Sequence, residues 1–213
     1  MDNPSAACRA ACEIAGPIPG WLEPEVAEYL YGVGAAAEGD VLEVGTYFGK
    51  STFLIARGMH DAGRPGKLIT VDVHWRGVND QTGRPFILAE DSQLSLCRTL
   101  KEHALEDRVI QMIGWSRASV LRLEFRDVRT VFIDGGHDYE SCSGDFLAVR
   151  EKAPRDRTVR LMFHDYGPHF PGVQRTIDEL VKPDERFKHV AQVATLFVCD
   201  LLPADARRQR AEG

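Results

Sequence analysis

An apolar run that breaks into a glycine-containing turn and then resumes with helical spacing constrains this chain more than any other feature. The segment is DVLEVGTYFGKSTFLIA, residues 40–56. It predicts a strand, a tight loop through Gly45 and Gly49, and a helix that begins near Ser51. A ligand that approaches the glycine backbone closely would face the carboxylate of Glu43 at the strand's end. The segment therefore predicts an α/β fold with a binding loop after its first strand.

The loop lacks both of the common nucleotide-binding patterns. A phosphate-binding P-loop requires GxxxxGK[ST], and GTYFGKS has one residue too few between its glycines. The GxGxxG dinucleotide pattern is absent from the loop as well. The Glu43 carboxylate would repel a pyrophosphate but would attract a cationic amino group. The loop therefore favours a zwitterionic, phosphate-free ligand such as S-adenosylmethionine. The alternative is a glycine turn that only joins a buried strand to a helix.

Apolar, β-branched segments alternate with segments of helical spacing along the chain. The predicted strands are residues 40–46, 67–74, 108–114, 130–134, 159–164, 187–193 and 195–201. The predicted helices are residues 24–38, 51–62, 90–104, 119–125, 139–152 and 172–181. The last two strands are too close for a crossover helix, so we expect them to pair antiparallel. The pattern predicts a Rossmann-like, doubly wound sheet of seven strands, mostly parallel, with an antiparallel edge strand.

The 213 residues are enough for one sizeable core. We expect a single domain over residues 1–213, with an N-terminal helical segment at 1–38 and a flexible tail at 203–213. The long polar loop at 74–85 is expected to act as a substrate lid.

Charge and cysteine content limit the partners and the location of the protein. A formal net charge of -6 argues against a general nucleic-acid binder. No segment approaches the ~20 apolar residues of a membrane span. The five cysteines are scattered and lack zinc-site spacing, which fits a reducing cytoplasm. We therefore expect a cytoplasmic protein with no nucleic-acid or membrane partner, and the general frequency of two-fold oligomers is compatible with a homodimer.

Polar or ionisable residues stand at or just after the ends of five of the predicted strands. They are Glu43, Asp72, Trp115 with Ser116, Asp134 with His137, and His164 with Asp165. Ligands of open parallel sheets bind beyond the carboxyl ends of the strands. We expect Asp72 to accept hydrogen bonds from the paired hydroxyls of a ribose, and Val73 to cover one face of the base. Trp115 or Ser116 would contact the base from the other side. Any single one of these residues could instead be a helix cap or a rim side chain.

The fourth and fifth predicted strands should be sheet neighbours, which brings the sequences DGGH and HDY together. Asp134 and Asp165, with His164, offer ligands to Mg²⁺ or another divalent cation. The imidazole of His137, with an ordinary pKa of ~6.5, could accept a proton from an acceptor hydroxyl. His164 fits equally well a strand-end histidine hydrogen-bonded in the core, and the pattern does not decide which histidine is the base.

Two of these motifs, in this order, resemble those of class I S-adenosylmethionine-dependent methyltransferases. They are IDGGHDYESCSGD at 133–145 and FHDY at 163–166. The resemblance is to catechol-type O-methyltransferases and to the bacterial group with an IDGxHxY segment followed by HDY, and it runs from about residue 21 to residue 201. It implies contacts with S-adenosylmethionine from Glu43, Gly45, Tyr47, Ser51, Asp72, Ser116 and Asp134.

The resemblance also implies roles for single residues of the two motifs. Asp134 is similar to the acid that serves both the cofactor amine and a metal, and Asp165 resembles the second metal carboxylate. His137 stands where catechol-type enzymes place a lysine base. Tyr166 departs from the asparagine that those enzymes usually have as a third ligand.

We therefore expect an S-adenosylmethionine-dependent methyltransferase that acts on an oxygen of a small molecule, with His137 and Asp134 as catalytic residues. One alternative is a metal-dependent hydrolase or oxygenase that uses the DGGH and HDY cluster. Another is a cofactor-binding subunit without catalysis. Residues 20–25 and the 74–85 loop are expected to border the acceptor pocket, and the sequence does not reveal which acceptor enters it.

Overall fold

The computed structural model describes residues 4–74, 77–79, 85–87 and 91–204. The strands are β1 (Asp40–Val44), β2 (Leu68–Asp72), β3 (Gly77–Asn79), β4 (Pro85–Ile87), β5 (Val109–Ile113), β6 (Val128–Ile133), β7 (Val159–Phe163), β8 (Phe187–Val193) and β9 (Leu196–Leu201). The helices are α1 (Ala6–Ala15), α2 (Pro24–Ala36), α3 (Lys50–Asp61), α4 (Ser92–Glu102), α5 (Ser116–Arg122), α6 (Tyr139–Lys152) and α7 (Pro171–Thr176). A 3₁₀ turn at Glu106–Arg108 precedes β5, and a π-helical turn at Ile177–Val181 continues α7.

Seven strands form one sheet in the order β5-β2-β1-β6-β7-β9-β8. The strands from β5 to β7 are parallel, and β9 runs antiparallel to both β7 and β8. The predicted doubly wound sheet and its antiparallel last pair are confirmed. The chain leaves β1 on one side through β2 and returns on its other side through β6, so the topology reverses at β1.

The described structure adds detail that the periodicity did not predict. Helix α1 falls within the expected N-terminal helical segment, and α5 begins three residues earlier than predicted, at Ser116. Strands β3 and β4 pair as a short antiparallel hairpin. Most of the loop predicted as a lid, and the tail from residue 205, lie outside the described residues. None of the helices in the described part of the chain combines the length and the apolar character that a membrane crossing requires.

Helices cover both faces of the sheet, and side chains of β1 alternate between the two layers. Val41 packs with residues of α1 to α4. Leu42 and Val44 pack on the opposite face with residues of α5 to α7. The sheet is therefore buried on both sides, and its site-bearing strand β1 is central.

Two glycines bring α2 and α3 into close contact. A Cβ atom at Gly34 would lie 2.1 Å from the carbonyl oxygen of Ile55, and one at Gly58 would lie 2.1 Å from that of Tyr31. This contact holds the N-terminal helical segment against α3, the helix that follows the glycine loop.

We predict that Gly34→Ala lowers the free energy of unfolding by about 1–3 kcal/mol, because the added methyl group must displace backbone. Gly32 lies on the same helix with no neighbouring atom within 4 Å of its would-be Cβ. Gly32→Ala should therefore be neutral or stabilise by up to ~1 kcal/mol, through helix propensity alone. Urea denaturation measures the free energy of unfolding of both variants and of the wild type. Equal effects of the two substitutions would contradict the packing argument.

Candidate functional site

The carboxyl ends of β1, β2, β5, β6 and β7 border one cavity with a volume of about 540 Å³. The predicted residues that line it are Gly45, Tyr47, Ser51, Asp72, Val73, Trp115, Ser116, Asp134, His137, His164 and Asp165. The segment at 19–22, together with Lys50, His74, Ser92 and Ser141, adds to the wall. Most residues expected at separate strand ends therefore meet in one place.

Backbone hydrogen bonds continue beyond the strands and fix the residues that follow them. The N–H of Gly45 donates to the Val71 carbonyl at 2.9 Å, and the N–H of Asp134 donates to the Val44 carbonyl at 2.8 Å. His164 donates likewise to the last residue of β6, at 3.1 Å. A Cβ at Gly45, whose φ is +92°, would lie 2.1 Å from the Asp134 carbonyl oxygen. Glycine at this position therefore lets the loop lie directly against Asp134.

The carboxylate of Asp72 organises the glycine loop. One of its oxygens accepts hydrogen bonds from the N–H groups of Thr46 and Tyr47, at 2.7 and 2.9 Å. The other accepts from the N–H of His74 at 2.6 Å. The oxygen that accepts from His74 has a further lone pair for a ligand hydroxyl, whereas both lone pairs of the other oxygen are taken by the loop.

Three non-glycine residues that line the cavity have left-handed backbone conformations. Tyr47 has φ 51°, His74 has φ 49° and Asp165 has φ 60°. Such conformations cost free energy and persist where the surrounding structure enforces them. Their concentration around one cavity is typical of a functional site.

Glu43 does not face the cavity, in contrast to the prediction that it would face a ligand. It is fully buried and is not among the described residues that line the cavity. Its carboxylate accepts hydrogen bonds from the hydroxyls of Ser51 at 2.6 Å, Thr52 at 2.5 Å and Thr70 at 2.8 Å. Strand alternation explains the error, since Glu43 points to the same face of the sheet as Val41, beneath the N-terminus of α3. Its role is to anchor that helix.

Gly49 also lies outside the cavity lining as described. It caps α3 with φ +88°, and a Cβ there would lie 2.4 Å from the Leu96 side chain. The prediction of a ligand contact by Gly49 is therefore replaced by a role in turning the chain.

The two residues after β5 differ in their surroundings. Trp115 is 73% exposed at the rim of the cavity. The Ser116 hydroxyl donates a 2.5 Å hydrogen bond to Asp145, whose burial raises the pKa of its carboxyl to about 6. Trp21, which also lines the cavity, stacks on Tyr47 with ring centroids 5.9 Å apart. Asp145 was not predicted as a site residue, although it ends the 133–145 motif.

Two histidines and two aspartates form a cluster at the ends of β6 and β7. Nε2 of His137 lies 2.9 Å from Asp165 Oδ2 and 3.9 Å from Asp134 Oδ1. Nδ1 of His164 lies 3.2 Å from Asp134 Oδ1 and 3.4 Å from Asp165 Oδ1. The predicted juxtaposition of DGGH and HDY is therefore present.

These contacts shift the pKa values of the cluster. Burial disfavours the protonated imidazoles, but the two carboxylates outweigh it and raise the pKa of His137 to about 9 and that of His164 to about 11. Burial by itself would raise the pKa of Asp165, but hydrogen bonds from both histidines outweigh it and hold that pKa well below the ordinary value.

Three members of the cluster lie close enough together to share a cation. Ligand atoms of Asp134, His164 and Asp165 lie within 4.8 Å of one another. A donor set of carboxylates with one imidazole suits Mn²⁺, Fe²⁺, Co²⁺ or Zn²⁺ as well as it suits Mg²⁺. Tyr166 does not join them, because its hydroxyl donates to Asp178 at 3.0 Å.

Glu23 is a member of this site that the sequence analysis did not identify. One of its oxygens lies 3.2 Å from Nε2 of His164, and the other accepts a 2.8 Å hydrogen bond from Thr195. Hydrogen bonds from Thr195 and His164 outweigh the effect of burial and lower the pKa of Glu23. A separation of 141 residues from His164 leaves no local sequence signal for this contact.

A sequence-family profile described as a methyltransferase domain matches residues 42–166, more than half of the chain. The chain belongs to this methyltransferase family. The matched region begins in β1 and ends at Tyr166, so it contains the glycine loop and both motifs of the cluster. The predicted resemblance is confirmed.

Solved structures share the fold over nearly the whole chain. An O-methyltransferase from Bacillus cereus in complex with SAH is 16% identical with a TM-score of 0.63, and covers 95% of this chain and 93% of its own. The SAH-bound methyltransferase PaMTH1 from Podospora anserina is 12% identical with a TM-score of 0.67, at 93% and 88% coverage. TomG from Streptomyces achromogenes, an O-methyltransferase of tomaymycin synthesis in complex with SAM, is 16% identical with a TM-score of 0.60, at 95% and 92% coverage. These likenesses establish a common fold with methyltransferases.

The alternative of a metal-dependent hydrolase or oxygenase is not favoured. It would use only the histidine and aspartate cluster. It would leave unexplained why the family match and the cavity both extend to the glycine loop and to Asp72.

The burial of Glu43 predicts how the free energy of unfolding depends on pH. Burial, opposed by the three hydroxyl donors, raises its pKa to about 7. As the pH rises from about 4.5 to about 7, the unfolded chain releases this proton while the folded protein retains it, so the free energy of unfolding falls by up to about 3 kcal/mol. Glu43→Gln cannot titrate and should lose this decline.

Urea denaturation of the wild type and Glu43→Gln at about pH 5 and about pH 7.5 measures the difference. Glu43→Leu serves as a second comparison. It should be less stable than Glu43→Gln at both pH values, because three buried hydroxyls lose their acceptor. Parallel pH profiles for the wild type and Glu43→Gln would contradict the assignment.

Proposed function

We propose that this protein transfers the methyl group of S-adenosylmethionine to an oxygen atom of a small molecule. The proposal rests on one observation, which is that a binding loop and a histidine–aspartate cluster line the same cavity. The glycine loop with Asp72 lines this cavity, and so does the cluster of Asp134, His137, His164 and Asp165. The SAM- and SAH-bound O-methyltransferases that share the fold support the same donor and the same kind of acceptor atom.

In the proposed reaction the acceptor oxygen attacks the methyl carbon, so the O–C bond forms as the S–C bond breaks. S-adenosylhomocysteine leaves as a neutral thioether, and the acceptor proton passes to a base. Asp72 would accept a hydrogen bond from one ribose hydroxyl of the methyl donor, in place of the two predicted, because its other lone pairs accept backbone N–H groups. Val73 and Trp115 would flank the base. The backbone at Gly45 and Tyr47, with Ser51 and Asp134, would hold its methionine part. The chain's main contribution would be alignment, which can lower a barrier by roughly 7–11 kcal/mol.

His137 is the proposed general base. Its imidazole is 43% exposed and lies on the cavity wall, whereas that of His164 is only 3% exposed. His137 is therefore the histidine that can reach an acceptor hydroxyl. A cation bound to Asp134 and Asp165 would offset the negative charges that raise the pKa of His137. The imidazole would then be neutral and able to accept a proton.

A divalent cation is part of the proposal. Asp134, Asp165 and His164 would hold it, and when bound it would supply positive charge that polarises the acceptor hydroxyl. The mixed carboxylate and imidazole set supports this assignment.

The sequence-based expectations about location and assembly remain proposals. The five cysteines, all within the described residues, are free thiols, which supports a reducing cytoplasm. A homodimer stays a proposal that the mass of the protein in solution would test.

We predict that His137→Ala retains S-adenosylmethionine binding but loses turnover by ~100- to 10,000-fold, because the acceptor proton lacks a base. His169, exposed on the loop before α7, provides the matched control, and His169→Ala should transfer methyl groups like the wild type. Radiolabelled methyl transfer to a panel of catechols, sugars and phenols measures turnover, and calorimetry measures binding. Wild-type rates in His137→Ala would refute the base. Silence of the wild type on every acceptor, despite cofactor binding, would favour a non-catalytic subunit.

We predict that removal of divalent cations by EDTA abolishes methyl transfer while S-adenosylmethionine still binds. Added Mg²⁺ or Mn²⁺ should restore the activity. Asp165→Asn should show low activity that neither cation restores, because a carboxylate ligand is lost. Full activity of the wild type after exhaustive chelation would contradict the metal assignment.

A further inference from the structure

Glu23 occupies an unusual place for a residue that begins a helix. It stands at the N-cap of α2, directly before Pro24, with φ -64° and ψ 149°. Within the described structure its carboxylate makes no capping hydrogen bond to that helix. Instead the side chain turns towards the ends of β7 and β9, where it meets His164 and Thr195.

The contact with His164 is selective for one ring nitrogen. Nε2 lies 3.2 Å from Glu23, whereas Nδ1 faces Asp134 at 3.2 Å and Asp165 at 3.4 Å. A neutral imidazole has one N–H donor and one lone pair. If Nε2 carries the proton and donates it to Glu23, the lone pair of Nδ1 is aimed at the two aspartates.

We propose that Glu23 is a positioning residue that holds His164 in the tautomer whose Nδ1 binds the divalent cation. The proposal rests on the cation site of the proposed function. Glu23 is not among the described residues on the cavity wall, whereas His164 is. Glu23 therefore acts behind the imidazole, as carboxylates do in carboxylate–histidine–metal arrangements.

Thr195 keeps the carboxylate in place. Its hydroxyl donates to the second oxygen of Glu23 at 2.8 Å, and its carbonyl accepts the N–H of Tyr166 at 2.8 Å. Thr195 thereby connects Glu23 to the backbone that carries His164 and Asp165. The N-terminal segment becomes part of the site although it lies outside the region matched by the family profile.

The first experiment compares Mn²⁺ affinity, measured by calorimetry, in the full-length wild type, Glu23→Met, Glu23→Gln and Glu25→Gln. Glu23→Met removes the acceptor and should weaken Mn²⁺ binding by about 10- to 100-fold. Glu23→Gln keeps an amide oxygen as acceptor and should recover most of that loss. Glu25 is exposed on the same helix turn, so Glu25→Gln should bind Mn²⁺ like the wild type. S-adenosylmethionine affinity should be unchanged in all variants, which verifies that they are folded.

The second experiment needs no variant. In Zn²⁺-loaded wild-type protein with ¹⁵N-labelled histidine, NMR identifies the metal-bound nitrogen of His164. We expect metal at Nδ1 and a proton at Nε2.

Metal at Nε2, wild-type Mn²⁺ affinity in Glu23→Met, or failure of Glu23→Gln to recover affinity would each overturn the positioning role while the proposed methyl transfer stands. Absence of Mn²⁺ and Zn²⁺ binding in the wild type would overturn the cation site and this role together. If the wild type does not bind S-adenosylmethionine, the proposed function itself is rejected.

Discussion

The site depends on the close approach of the Gly45 backbone to Asp134. No side chain fits between them, since a Cβ at Gly45 would lie 2.1 Å from the Asp134 carbonyl oxygen. The N–H of Asp134 donates to Val44, so the same pair of strands that forms the centre of the sheet also fixes the distance between the loop and the acid. Asp72 then holds the other end of the loop through the N–H groups of Thr46 and Tyr47. The binding loop and the charged cluster therefore lie in direct contact with each other.

The net negative charge of the cluster favours a cationic ligand. Three carboxylates, from Glu23, Asp134 and Asp165, face two imidazoles, from His137 and His164. Even with both imidazoles protonated, one negative charge remains without a partner inside the cluster. All three carboxylates are partly shielded from solvent, where unpaired charge of one sign is costly unless it is compensated. A cationic sulfonium, a divalent cation, or both would supply the missing charge, whereas a phosphate would not.

The sequence predicted the fold and most of the cavity because both depend on local patterns. The glycine loop, the acid at the end of β2 and the residues after β6 and β7 all follow from where a strand ends. Glu43 was misassigned because being near the strand's end does not determine which face a side chain takes, and alternation places it under α3. Glu23 was missed because its partner is 141 residues away in the chain. Contacts of that kind arise from tertiary packing and have no periodic signal.

The central claim is that the cavity lined by the glycine loop, Asp72 and Asp134 binds S-adenosylmethionine. Isothermal titration of this ligand into the wild type and Asp72→Ala tests it most directly. The account predicts one binding site per chain in the wild type and an affinity at least about tenfold weaker in Asp72→Ala, since the carboxylate both holds the loop and accepts a ribose hydroxyl. The absence of binding to the wild type, or equal affinity in the two proteins, would contradict it.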